Sequence, residues 1–316
     1  MNRIRDYRAT IIVYGILLLL MIFMSFASDV FFTTRNLRNL VLASVAVGIV
    51  ATGQTFCILS AGIDLSISSL VSLNVCLISG ICQGQETLLI PALALTLLIS
   101  LFVGFCNGLI ITKTGVNALI VTLGMMSIIQ GVAFIYTKAP IGEIAPSLQF
   151  IAWGKIGPVP FPFLLLGMVM GMGIFVLKKT AYGRYVYAIG GNEAVAVLSG
   201  VKAGRTRIVT FMISSFCAFL CSCYLVSRMG QGDPIVGEPF LFDSIVPVLI
   251  GGTSFSGGVG GVAGTLAGVF ILTMLKNAMN LLDISTYWQW MVEGLIIVTA
   301  VAMYSWKEKK VMFRSA

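Results

Sequence analysis

Histidine is absent from this 316-residue chain. That excludes a Ser-His-Asp triad, His-based acid–base catalysis and any His-ligated zinc or haem. Charge is almost as scarce. Asp, Glu, Lys and Arg make up 10% of the residues, against about 25% in a soluble domain. So few charges could not cover the surface of a soluble protein of this size. A cytosolic enzyme, a DNA-binding module and a disordered tail protein are excluded together. No Gly-Lys-Ser/Thr phosphate loop occurs, so the chain carries no ATP-hydrolysing motif of its own.

What fills the chain is apolar. Apolar types make up 58% of it and the mean hydropathy is +1.01. A bilayer span needs about 20 apolar residues, so ten spans would use about 200 and leave only short loops. The expected fold class is an all-α membrane protein, a polytopic helical bundle of about ten transmembrane helices in a single domain covering 1–316. The spans read roughly as 10–28, 38–60, 66–82, 88–112, 117–137, 161–178, 206–228, 241–254, 260–281 and 286–306. The fourth is long enough to tilt, and the eighth is short. Arg3, Arg5 and Arg8 before the first run resemble a signal peptide, but that run is long and many follow, so it reads as an uncleaved helix.

The net charge of +8 reads as the mark of cytoplasmic loops rather than of an anionic ligand. With the N-terminus inside, 14 of the 20 basic residues fall on the cytoplasmic side: Arg3, Arg5, Arg8, Lys113, Lys178, Lys179, Arg184, Lys202, Arg205, Arg207, Lys307, Lys309, Lys310 and Arg314. Arg35, Arg38, Lys138, Lys155, Arg228 and Lys276 are left outside, with Asp29, Glu86, Glu143, Asp233, Glu238 and Asp283. This asymmetry places both termini in the cytoplasm. It makes 178–206 an internal loop and 138–160 and 229–240 external ones. Prolines and glycines in the external pair predict ordered, irregular backbone.

Asn192 is a suitable N-cap, Glu193 suits the positive end of a helix dipole, and Gly200 is a suitable terminator. A helix of about two turns is therefore expected within 190–201, with Val195 and Leu198 on one face. Such a peg needs a partner groove, the alternative being a helix lying on the membrane surface. The run 251–261 is glycine-rich but lacks a phosphate-loop ending. Gly260, Gly264 and Gly268 are expected to form a ridge for close helix packing, as are Gly104/Gly108 and Gly167/Gly171. Gly62 to Ser66 echoes Gly252 to Ser256 at an offset of 190 residues. Asp64 reads as a cap for the third span with its charge in the interface, or as a functional intramembrane acid. Glu293 lies among apolar residues and needs a partner or a proton, which raises proton coupling as a rival role. Gln54, Asp64, Asn74, Asn107, Asn117 and Gln130 are candidate pore or gate residues. Lys138, Lys155 and Arg228 are candidate ion-pair donors to an external partner. The cysteines, including the Cys217, Cys221 and Cys223 group, read as core packing, since no second cluster completes a metal site.

Leu59-Ser60-Ala61-Gly62-Ile63-Asp64-Leu65-Ser66, Gly190-Gly191-Asn192-Glu193-Ala194, Leu198-Ser199-Gly200-Val201 and Gly251-Gly252-Thr253-Ser254-Phe255-Ser256-Gly257-Gly258 resemble, in order and spacing over about 30–305, the permease subunits of ribose-type sugar ABC importers. Ala61 and Ser68 stand where that family usually has glycine, and Glu293 where a basic residue is common. The resemblance implies one half of a two-permease pore in the bacterial inner membrane. A second copy, a cytoplasmic ATPase holding ATP and Mg, and an external binding protein would be its partners, with no cofactor on this chain. Asn192, Glu193, Ala194, Val195, Leu198, Ser199 and Gly200 match the family's ATPase-docking region. The solute would be ribose or another monosaccharide, with signalling sugars and nucleosides carried by relatives. The rival reading is an ion-coupled transporter, which paired carboxylates within the spans would favour.

Overall fold

The computed structural model describes residues 2–312, and the side chains of 11–299 within them. Arg3, Arg5, Arg8, Lys307, Lys309, Lys310 and Arg314, part of the expected cytoplasmic face, lie outside the described side chains. The chain begins with α1 (Asn2–Ala27), α2 (Thr34–Leu59), α3 (Ile67–Cys82), α4 (Glu86–Thr114) and α5 (Ala118–Tyr136). A 3-10 turn (Pro146–Gln149), α6 (Phe150–Trp153) and an antiparallel hairpin of β1 (Lys155–Ile156) with β2 (Val159–Pro160) follow. Then come α7 (Phe161–Lys179), α8 (Ala181–Gly191), α9 (Glu193–Leu198) and α10 (Ala203–Met229). The last group is α11 (Phe240–Asp243), α12 (Val246–Ile250), α13 (Val262–Leu281) and α14 (Thr286–Met312). Six of these, α2, α4, α5, α7, α10 and α13, are long and apolar enough to cross a bilayer, which makes this an all-α, multi-pass membrane protein.

Local chemistry sets the helix ends. The Thr33 and Asn117 side chains accept backbone N–H groups at the starts of α2 and α5. Gly115 (φ 70°) and Gly230 (φ 81°) turn the chain left-handed at the ends of α4 and α10, where a Cβ would be strained. The bundle has a basic end, carrying Lys113, Lys178, Lys179, Arg184, Lys202 and Arg205, and a far end, carrying Glu86, Lys138, Glu143, Lys155 and Arg228.

The axis of the fold is α2, buried from Ser44 to Leu59. It runs antiparallel to α10 on one side, where Tyr224 donates to the Leu42 carbonyl at 2.7 Å and Gly53 lies against Ser214 and Cys217. On another side it meets α13 through a reciprocal Asn36–Asn277 amide pair (3.1 and 2.8 Å), Ser44–Thr273 (2.9 Å) and Thr55–Thr265 (2.9 Å). Gly104 and Gly108 of α4 lie against the α10 backbone at Met212 and Ile208, so those two glycines do bring helices together. Gly264 and Gly268 do the same, against the Gly251 and Pro247 carbonyls. Gly260 is different: its φ is 116° and it precedes α13, so it belongs to the turn rather than to the ridge. Gly167 and Gly171 of α7 have open space beside them.

Helices stand where nine of the ten spans were expected, but the eighth, 241–254, is broken into α11 and α12. The segment before it is packed along α3 rather than free of the bundle. Gly232 packs on Cys76 and Ser79 of α3, and Gly237 leaves no room for a Cβ against the Ser68 carbonyl. Ser68 lies eight residues below Cys76, so this backbone descends about 12 Å along α3. Its polar groups are satisfied within the protein. Gly232 exchanges two hydrogen bonds with Ile141 (2.8 and 3.0 Å), Gln130 donates to the Pro234 carbonyl at 2.9 Å, and the Gly237 N–H donates to Ser72 at 2.9 Å. Unpaired, these groups would each cost several kcal/mol in an apolar layer.

Ala61 is left-handed (φ 58°) in the turn that reverses α2 into α3. An L side chain there costs about 1–2 kcal/mol, partly offset by the greater freedom of glycine in the unfolded chain. Ala61→Gly is therefore expected to raise stability by about 0.5–1 kcal/mol. Thermal unfolding of the detergent-solubilised protein checks this, and a lowered midpoint would contradict it.

Candidate functional site

The expected peg is present and is larger than the sequence suggested. Thr180 caps α8, and Gly190 and Gly191 lie inside that helix rather than bounding the next. Asn192 then breaks the axis and caps α9, accepting the Val195 N–H at 3.1 Å. Gly200 closes it with φ 84°. Ala196 packs with Ile189 and Ala203, which ties α8, α9 and the start of α10 into one unit. Glu193 grips Arg207 through two hydrogen bonds of 3.0 and 2.7 Å, anchoring α9 to α10. Ala194 and Ser199 are exposed beside the tip. Val195 (56% exposed) and Leu198 (89%) project from the basic end. Leu198 thus stands clear of the protein at the tip of the two-helix elbow.

Three of the four glycine-containing motifs meet behind this tip. The Gly258 N–H donates to the Leu59 carbonyl at 3.0 Å. Gly190 is pressed against the same carbonyl with no room for a Cβ. A Cβ on Gly257 would stand 2.9 Å from both the Ala61 nitrogen and the Gly190 Cα. Tyr187 of α8 donates to the Gly260 carbonyl at 2.8 Å. The elbow thus touches, backbone to backbone, both the 59–62 turn and the 251–261 segment.

Asp64 lies in the interior, 1% exposed. The N-cap position of α3 is held by Ser66, which makes no side-chain cap hydrogen bond. Its Oδ1 accepts the Ser66 N–H (3.0 Å) and O–H (2.5 Å), and its Oδ2 accepts the Ser214 O–H (2.7 Å). Asn107 donates to Ser66 at 2.9 Å. Ser214 stands eight residues along α10 from Thr206, about 12 Å, so this network holds a chain reversal deep in the bundle. Asn74 donates to Ser100 at 2.9 Å, and both are buried. Gln54 is also buried, with neither amide atom hydrogen-bonded. These pore candidates are enclosed within the single chain. Asn117 is exposed and caps α5, and Gln130 pins the descending segment through Pro234.

Glu293 (3% exposed) has a partner that sequence reading missed. Lys276 Nζ lies 2.8 Å from Glu293 Oε1 and 2.5 Å from Asp243 Oδ1. The Glu293 contact is an ion pair without hydrogen-bond alignment. Lys276, counted with the outer charges from the sequence, is thus held between two buried acids. Asp243, within the apolar Phe240–Asp243 turn, had no earlier role. The only signal was a lysine and two acids in three apolar segments, and nothing in their spacing paired them.

At the far end, Arg35, Arg38 and Arg228 line a cleft of about 360 Å³ with Thr34, Asn39, Leu42 and Trp153. None of the three arginines is ion-paired among the described residues. Lys155 lies exposed on β1 and Lys138 beyond the end of α5, and neither lines the cleft. Among the described residues, no group of three or more Cys, Asp and Glu could hold a metal ion.

The profile of the family described as branched-chain amino acid transport system / permease component matches residues 36–301. The chain is 36% identical over 297 residues to the ribose import permease protein RbsC of Escherichia coli strain K12, covering 92% of each chain. It is 35% identical over 293 residues to the protein of the same name from Haemophilus influenzae, covering 90% of each. The xylose transport system permease protein XylH of Escherichia coli strain K12 is 32% identical over 351 aligned positions, covering 90% of this chain and 89% of that one. No solved structure matches the chain.

Removing one member of a buried ion pair costs about 3–5 kcal/mol, because the remaining charge is left uncompensated. Lys276→Met should destabilise the protein by about that amount. Adding Asp243→Asn and Glu293→Gln should recover most of it. Denaturation midpoints of the single and triple variants decide, and equal loss in both would contradict the pairing.

Proposed function

Because this chain belongs to the family of branched-chain amino acid transport system permease components, we propose that it is the membrane subunit of an ATP-driven sugar importer. Two copies form the pore in the bacterial inner membrane. A separate ATPase, holding ATP and Mg, docks at the basic end in the cytoplasm, and a binding protein delivers the solute at the far end. The chain crosses ten times, the broken α11–α12 segment being one crossing, with both termini cytoplasmic. The solute is a monosaccharide, of which ribose and then xylose are the first to test, given the relatives that carry those names.

The observation that carries this reading is the elbow of α8 and α9. Its exposed Leu198 offers an anchor to the ATPase, and its base abuts the two glycine turns at Leu59 and Gly258. ATP binding would draw two ATPase subunits together and push on the elbows. The turns at 59–62 and 251–261 then carry that displacement into the broken crossings, switching the open side of the pore. The rival ion-coupled mechanism is suggested by one isolated acid in the last span. That acid, Glu293, is held by Lys276. The test is uptake into proteoliposomes holding the whole complex. Uptake that persists without ATP and collapses with an uncoupler would overturn the importer reading.

Leu198→Asp removes an exposed anchor without disturbing the core, so the permease should still insert. Loss of such an anchor costs about 2 kcal/mol or more, so ATPase affinity should fall at least tenfold. Gly190→Ala should leave the ATPase bound but lower the solute moved per ATP hydrolysed, whereas Gly191→Ala, with open space beside it, should not. Titration of ATPase onto the purified permease and paired transport and hydrolysis assays measure both.

The arginine cleft supplies the far-end contact. Three guanidinium groups beside the start of α2, without an ion pair among the described residues, suit carboxylates on the binding protein. Arg35→Glu with Arg38→Glu should weaken its docking, with the largest effect at low salt. An affinity unchanged across salt would remove this cleft from the docking site.

A further inference from the structure

We infer that Glu238 lines the path of the transported solute and accepts hydrogen bonds from its hydroxyl groups. This rests on the permease reading above. The descending segment has a packed edge and an open edge. Gly232, Pro234, Gly237 and Phe240 are buried, whereas Ile235, Glu238, Pro239 and Phe242 are exposed. Its depth follows from α3. Gly237 abuts Ser68, fourteen residues from Cys82, which is about 21 Å along a helix. The 29 residues of α4 span about 43 Å, so Glu238 lies near the middle of the bundle.

The other exposed charged side chains among the described residues lie towards the two ends. Glu238 forms no ion pair with any of them. A carboxylate facing acyl chains at this depth is costly, and the side chain is far too short to reach an interface. The environment that removes that cost is water, and water at this depth on an open protein face means an aqueous path. The surrounding chemistry suits a neutral polyhydroxylated molecule. A carboxylate accepts two O–H donors, and Phe242, exposed four residues along the same segment, offers an apolar ring. Asp233 stands half-buried nearer the far end, its carboxylate accepting the Ile235 N–H at 3.0 Å, so it is engaged in its own turn.

The experiment has two arms, both on the assembled complex with binding protein and ATPase. In a Cys106→Ser background, Glu238→Cys is exposed to a charged, membrane-impermeant thiol reagent. Leu98→Cys on the exposed face of α4, about 18 Å from that helix's start, is the control of similar depth. Modification at 238 is expected to be at least tenfold faster than at 98. Equal, slow modification would mean that 238 faces lipid and would overturn the inference. In the second arm, ATP-driven uptake of ribose and of xylose is compared for the wild type and Glu238→Gln. Uptake of the transported sugar is expected to fall about tenfold, the loss of one charge-assisted hydrogen bond, with ATPase and binding-protein affinities unchanged. Normal uptake by Glu238→Gln would overturn the solute contact. Failure of the wild type to take up either sugar with ATP would count against the sugar-importer reading itself, a separate result.

Discussion

A helix that breaks inside a bilayer must find partners for its freed N–H and C=O groups within the protein. Helical order in this chain is interrupted at 60–66 between α2 and α3 and over 230–261 around α11 and α12. Each break is enclosed by neighbours that satisfy it. At the first, Asp64 and Ser66 replace the missing helical partners and Ser214 closes the carboxylate. At the second, Ile141, Gln130 and Ser72 supply them, and glycines at 232 and 237 let the backbone lie directly on α3. The same need for close approach explains why the breaks and the elbow share glycine. At Leu59, Gly190 and Gly258, three segments from distant parts of the chain come to backbone contact.

Charge obeys the same constraint. Asp64 is tolerated because three donors surround it. Asp243 and Glu293 are tolerated because Lys276 lies between them, at the junction of α11 with α13 and α14. A triad of this kind is weak evidence for stability, since an apolar replacement of similar shape can do as well. Its plainer consequence is positional. The lysine ties a short, poorly supported helix to a long one, so the broken segment has a defined place. Glu238 has no such partner, and that contrast assigns it to water rather than to the interior.

Much of the architecture was legible in the sequence because it depends on short-range properties. Seven helices were placed within four residues at each end, since hydropathy over about 20 residues decides them, while α1 starts eight residues earlier and α14 ends six later than expected. The α9 peg was placed because Asn192, Val195 and Gly200 act within one or two turns. The failures share a cause. Segment 229–240 has the glycines and prolines of a surface loop, and only contact with α3 makes it a descent. Asp64 reads as a cap of α3 in the sequence, but it lies two residues before the N-cap position, buried in the turn, where its carboxylate accepts the Ser66 N–H. Gly260 continues the four-residue spacing of Gly264 and Gly268, yet the helix starts after it.

By itself the sequence determined membrane residence, helix ends, the family and the exposed tip of the peg. These follow from composition, hydropathy and caps, where each residue acts on its near neighbours. Only the tertiary structure decided that Lys276 sits between Asp243 and Glu293, that Arg35 and Arg38 share a cleft with Arg228, and that Gly190 touches both Leu59 and Gly258. Those contacts join residues tens to nearly two hundred positions apart. No periodicity specifies them, because they arise from how whole helices pack and where buried polar groups find partners.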